Sequence, residues 1–182
     1  MWHDLQRPME RTVGDQTGWE RAFEEYREQL RTLRTRLNAE AYAFFDEADV
    51  HDGELLEFRV IDGSRPAPLS SAARVWTAPM NFPVAVEAAV LDAGDRFVWR
   101  ISYSGVRRAT VEFPGEDPLF YQSGEGFGDW GFDELTDAGR GFLCHEILFA
   151  SGSIIVVEFQ SVVVTRTPAR AATCIPETDL LS

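Results

Sequence analysis

Lysine is missing from the sequence altogether. All 17 basic residues are arginines, spread along the chain rather than gathered into a patch. Binding to phosphates in general needs clustered positive charge, so general nucleic-acid recognition is excluded. The 30 acidic residues, which bring the net charge to −13, argue the same way. Cysteine occurs only at Cys144 and Cys174, too few and too far apart for a disulfide framework, which leads us to expect a reduced, cytoplasmic protein. Three histidines, His3, His51 and His145, leave little from which to build a zinc centre, and no metal or cofactor is expected. No apolar run approaches the roughly 18 residues of a membrane span. The opening MWHDLQRPMER lacks the continuous apolar core of a signal peptide. What is present is a globular composition: 182 residues, 45% apolar and 12% aromatic, suit one domain with a substantial core.

The periodicity changes once along the chain. Residues 1–16 show no period and read as an arm. Thr17 and Glu20 then have the spacing of a capping box. Behind them Trp19, Phe23, Tyr26, Leu30, Leu33 and Leu37 recur at steps of four and three, which predicts one long amphipathic helix. Asn38 is placed to cap a second, short helix, AEAYAFFDEA. From residue 54 the pattern alternates. ELLEFRVID, AARVWTA, VAVEAAVL, RFVWRISYS, RRATVEF, FLCHEILF, SIIVVEF and SVVVTR read as strands between turn-forming stretches. Helices first and strands afterwards predict a single α+β domain over 17–166, helical over 17–48 and β-rich over 54–166, with 167–182 as a tail. The expected architecture is the long helix packed on a mainly antiparallel β-meander, strongly curved or partly closed into a barrel.

Two hairpins can be registered from side-chain chemistry. Phe97, Trp99 and Ile101 match Ala109, Val111 and Phe113 if an odd loop, Ser104-Gly105-Val106, joins RFVWRISYS to RRATVEF. In FLCHEILFASGSIIVVEF a two-residue Ser151-Gly152 turn sets Phe149 against Ile154, Ile147 against Val156 and His145 against Glu158. Both faces of this second hairpin are apolar, so it should be central in the sheet.

The segment GEGFGDWGFDEL places Gly126, Gly128 and Gly131 at the G-x-G-x-x-G spacing. A dinucleotide cradle needs a strand before it and a helix N-terminus after it. Here a strand follows, and seven acids from Glu116 to Asp137 lie among the glycines with no basic residue between them. The glycines therefore read as turns. The same acidic stretch carries Phe127, Trp130 and Phe132, a composition that suits contact with a basic protein surface through Glu125, Asp129, Trp130, Asp133 and Glu134. The alternative is that the rings fold inward and cap the sheet. His145 with Glu158 is the one acid–histidine couple the register yields, either a buried ion pair or the polar group of a pocket that also contains Trp99. G-x-S-x-G is absent, and Cys144 points away from His145 on the same strand. His51-Asp52 reads as a turn in which Asp52 holds amides and His51 packs beneath a helix.

The hand-over FFDEADVHDGELLEFRV and the late pair HEILFASGSIIVVEFQSVVV resemble small bacterial immunity-type proteins that protect against polymorphic toxins. In those proteins a helix leads through an HD-G turn into a sheet, and a late strand pair has the form L-F-x-x-G-x-x-x-x-x-x-F. The resemblance covers less than a quarter of the chain and transfers no functional residue. Together with the −13 charge, the acidic aromatic loop and the missing catalytic set, it leads us to expect a non-catalytic binding protein that meets a basic partner such as a toxin domain. The competing expectation is a small-ligand binder or modest enzyme, its pocket lined by Phe97, Trp99, Tyr103 and Phe120 around His145 and Glu158.

Overall fold

The computed structural model describes residues 16–48, 50–63, 83–113 and 126–169, with side chains from residue 21 onward. The expected arm, the strand AARVWTA, Glu125, Phe120 and most of the tail lie outside the described residues, as do the side chains of Thr17, Trp19 and Glu20.

Two short helices come first: α1, Gln16–Leu33, and α2, Ala39–Glu47. The long helix expected to run to Leu37 stops four residues earlier. A 3-10 turn, Arg34–Arg36, follows α1, and Leu37 is already extended at φ −117°, ψ 146°. The cause is the cap of the next helix. Asn38 must sit in the β region (φ −74°, ψ 171°) for its Oδ1 to accept from Ala41 N–H at 2.7 Å, and a continuous helix through Leu37 forbids that. The apolar stripe survives the break: Leu30 and Leu33 are buried on α1 while Leu37 packs on the core from outside it. Phe23, at the outer end of the stripe, is 53% exposed.

The remaining described residues form one eight-stranded antiparallel sheet: β1 Gly53–Asp62, β2 Val84–Leu91, β3 Phe97–Ser104, β4 Arg108–Glu112, β5 Asp129–Gly139, β6 Phe142–Phe149, β7 Ile154–Phe159 and β8 Ser161–Pro168. Their order is β4-β7-β6-β5-β1-β2-β3-β8. Two meanders, β1-β2-β3 and β5-β6-β7, are thus joined where β1 meets β5 at Gly53–Trp130 and Glu54–Asp129. β4 and β8 end the order and do not pair with each other, so no ladder closes the strands into the barrel that was expected.

The first expected hairpin is absent. Among the described residues β3 pairs with β2 and β8, whereas β4 pairs only with β7. Ser104–Arg107 is a corner, not a hairpin loop. Val106 N–H bonds Val84 O, Arg107 N–H bonds Glu158 O, and Gln160 N–H bonds Ser104 O, each within 3.1 Å. These bonds satisfy the backbone as the chain leaves one half of the sheet for the other.

The second hairpin exists, shifted by one residue. Gly152 N–H bonds Phe149 O at 2.8 Å, Phe149 N–H bonds Ser153 O at 2.9 Å, and Gly152 takes φ +81°. This is a three-residue loop, Ala150-Ser151-Gly152, with glycine in the left-handed position that such loops demand. Ile147 therefore faces Ile155, His145 faces Val157, and Cys144 faces Glu158.

Inward side chains of both meanders form one core with the helices over it. Phe44 of α2 meets Trp99 at 5.4 Å between ring centres, and Phe45 meets His145 at 5.0 Å. No helix among the described residues is long and apolar enough to cross a membrane.

Candidate functional site

His145 projects inward from the middle of β6 and is 0% exposed. Both ring nitrogens are engaged. Nδ1 lies 2.6 Å from Tyr103 Oη on β3, and Nε2 lies 3.0 Å from Asp133 Oδ2 on β5. Asp133 Oδ1 accepts from Trp130 Nε1–H at 3.0 Å. A carboxylate only accepts, so Nε2–H donates to Asp133; in the neutral imidazole Nδ1 then accepts from the tyrosine hydroxyl. Every polar atom of the chain Tyr103–His145–Asp133–Trp130 is then satisfied from within.

The local sequence explains how Trp130 and Asp133, of opposite parity, reach the same face. The β5–β6 register slips between Trp130 and Phe132, a bulge at Gly131 that resets the alternation. Without it Asp133 points outward.

The electrostatics run against catalysis at this tyrosine. Burial, reinforced by the Asp133 charge, holds the Tyr103 phenol well above its ordinary pKa. Burial and Asp133 likewise raise Tyr26 on α1, whose oxygen accepts from Leu135 N–H at 3.4 Å. An activated nucleophile needs the opposite shift. The group is a polar network that binds β3, β5 and β6 to one another in a low-dielectric interior.

Glu158 takes no part in it. The one-residue shift sends Glu158 to the outer face, where Arg107 and Arg108 hold its carboxylate. The expected His145–Glu158 couple is thereby corrected: Asp133 is the acid beside His145. Trp99 is buried in the core beneath Phe44, with the Arg166 guanidinium 5.5 Å from its ring. Trp130 is fully buried, while Asp129 is exposed at the start of β5. Glu134 points to the outer face opposite Glu146 and is 8% exposed. Burial first, then the Glu146 charge, raises its carboxyl above the ordinary value. Cys144 shares that face as a free thiol, pushed up to about 12 chiefly by burial and then by Glu146 and Glu158. His51 does not pack beneath a helix; it is half-exposed, 3.1 Å from Asp52 and edge-on to Phe132 at 5.1 Å.

Gly126 and Gly128 take φ +67° and +68° in a turn that leads into β5, so a strand and not a helix follows them, as the turn reading requires. This turn forms part of an exposed rim. Phe113, 65% exposed, stacks on Phe127 at 5.4 Å, and Phe127 in turn stacks on core Phe149 at 4.9 Å. Exposed carboxylates stand at neighbouring chain positions: Glu112 precedes Phe113, Asp129 follows Phe127 by two residues, and Glu54 lies directly opposite Asp129 across β1 and β5. Among the described residues none of these three carboxylates has an arginine partner. Groups of three or more potential metal ligands are also absent among the described residues.

No family model, curated protein or solved structure matches this chain.

Proposed function

We propose that the protein is a non-catalytic binding protein that receives a basic protein partner on its acidic exterior. The observation that carries this reading is the rim: phenylalanines Phe113 and Phe127, exposed and half-exposed, with the exposed acids Glu112 and Asp129 within two residues of them in the chain and Glu54 opposite Asp129. Facing carboxylates on neighbouring strands repel and cost stability, so Glu54 opposite Asp129 favours a cationic visitor. Exposed aromatic rings beside uncompensated charge are what a partner's arginine stacks on and pairs with. The net charge of −13 supplies long-range steering towards such a surface. The inward-facing, self-satisfied histidine network supports a non-catalytic role, and the immunity-type resemblance of the two segments points the same way.

The test is capture from a lysate of the source cell by the tagged full chain, alongside a Glu54→Gln, Asp129→Asn, Phe113→Ala triple variant. The expected result is a basic protein retained by the native chain, released as salt rises and lost with the variant. Capture indifferent to both salt and substitution overturns the reading.

A further inference from the structure

Four outward side chains form a row across β4, β7, β6 and β5, from one edge of the sheet to its middle: Thr110 opposite Val156, Val156 opposite Glu146, and Glu146 opposite Glu134. Side chains so opposed have Cβ atoms about 4.5–5.5 Å apart, and two carboxylates at that separation repel. Glu134 is 8% exposed, and its Oε2 has no hydrogen-bond partner; nor has the buried Thr110 Oγ1 in the same row. A buried acceptor without a donor is costly, and an anionic one more so. The adjoining row contrasts with this one. There Glu158, opposite Cys144 on one side and Arg108 on the other, is held by Arg107 and Arg108 together. Arg107 and Arg108 are thus engaged by Glu158, Arg59 and Arg100 by Glu57 and Glu87, and among the described residues no arginine is paired with Glu134 or Glu146.

We propose that Glu134 and Glu146 form a guanidinium-binding site on the outer face of the sheet, in which an arginine-bearing ligand is held. A divalent cation fits the pair poorly. Calcium asks for six to eight oxygens, and among the described residues no group of three or more acids, histidines or cysteines that could hold a metal ion stands there to supply that shell. A guanidinium brings five N–H donors in a planar fork, which two adjacent carboxylates can share while the stray oxygen of Glu134 gains its donor. The bound cation also removes the repulsion between the two glutamates, so binding should bring the raised Glu134 carboxyl back down.

The experiment needs no protein partner, so its failure leaves the rim reading untouched, and failure of the rim reading leaves this site standing. Carboxyl-carbon NMR of the full chain at low ionic strength follows Glu134 and Glu146 while N-ethylguanidinium is added, with uncharged N-ethylurea as control. Saturable shifts at both carboxyls and a lowered Glu134 titration are expected with the cation alone. Glu134→Gln or Glu146→Gln, both near-isosteric, should weaken binding by about tenfold or more, while Glu112→Gln should leave it unchanged. A Glu134 that titrates above the ordinary glutamate range before any probe is added and responds to N-ethylguanidinium upholds the site; one that titrates below that range, already paired within the chain, overturns it. A Glu134 that titrates high and ignores N-ethylguanidinium, or binding that is unchanged in both glutamine variants, overturns it.

Discussion

Asp133 is the residue on which most of the polar interior turns. Its two oxygens accept hydrogen bonds from Trp130 and His145, and through His145 it reaches Tyr103 on a strand three places away in the sheet. Removing one member leaves another buried and unsatisfied. Tyr103→Phe strips His145 Nδ1 of its donor, and Asp133→Asn offers one acceptor oxygen where two donors arrive. Each change is expected to destabilise the fold by about 1–3 kcal/mol. Because the groups share one network, the double variant should lose less than the sum of the two, as a double-mutant cycle by urea denaturation will show. Additive losses would mean that Tyr103 and Asp133 act independently.

At the scale of elements, the boundary between α1 and α2 is decided by one side chain. Asn38 Oδ1 satisfies Ala41 N–H and starts α2, which carries Phe44 and Phe45 onto Trp99 and His145. Asn38→Ala removes the cap while leaving the apolar contacts, so a loss of roughly 1 kcal/mol is expected from denaturation, and Asn38→Ser should recover most of it. An α2 anchored wholly by its phenylalanines would show no such loss. A second element, β5, depends on its neighbours. Aspartate and glycine are poor strand formers, yet DWGFDELTDAG runs eleven residues because β6 pairs with it for most of its length.

For the molecule as a whole, stability against pH is set by carboxylates that pull in opposite directions. The Gly139 N–H and the Arg36 guanidinium hold the exposed Asp137 carboxyl below its ordinary value, so its contribution is present at neutral pH and is lost as pH falls through that lowered value. Glu134 is the reverse case. Its folded pKa is raised, so folding is favoured when it is protonated, and a cost appears as pH rises from the ordinary glutamate range through the folded value. Glu134→Gln is therefore expected to make the isolated protein more stable near neutral pH. That advantage should vanish by about pH 3, where glutamate is protonated in both states. Denaturation midpoints measured across that range check the sign; a variant less stable at neutral pH would mean that a cation already occupies the site.

The sequence by itself determined the class of the fold and the general placement of its apolar faces. A change of period from 3.6 to 2 is a local property of the chain, which is why the two helices, the Asn38 cap, seven of the eight strands and the inward placement of Trp99 and Ile101 could be read directly. Local signals reached their limit where pairing is non-local. Nothing between Ser104 and Val106 distinguishes a hairpin from a corner, because the distinction rests on whether β4 finds β3 or β7. The tertiary structure also decided whether Ser151-Gly152 or Ala150-Ser151-Gly152 forms the loop, and one residue of slip exchanges every facing pair. That slip removed Glu158 from His145, and the Gly131 bulge delivered Asp133 in its place. The site is set by register, and register is fixed by long-range packing and backbone pairing that no short window of sequence contains.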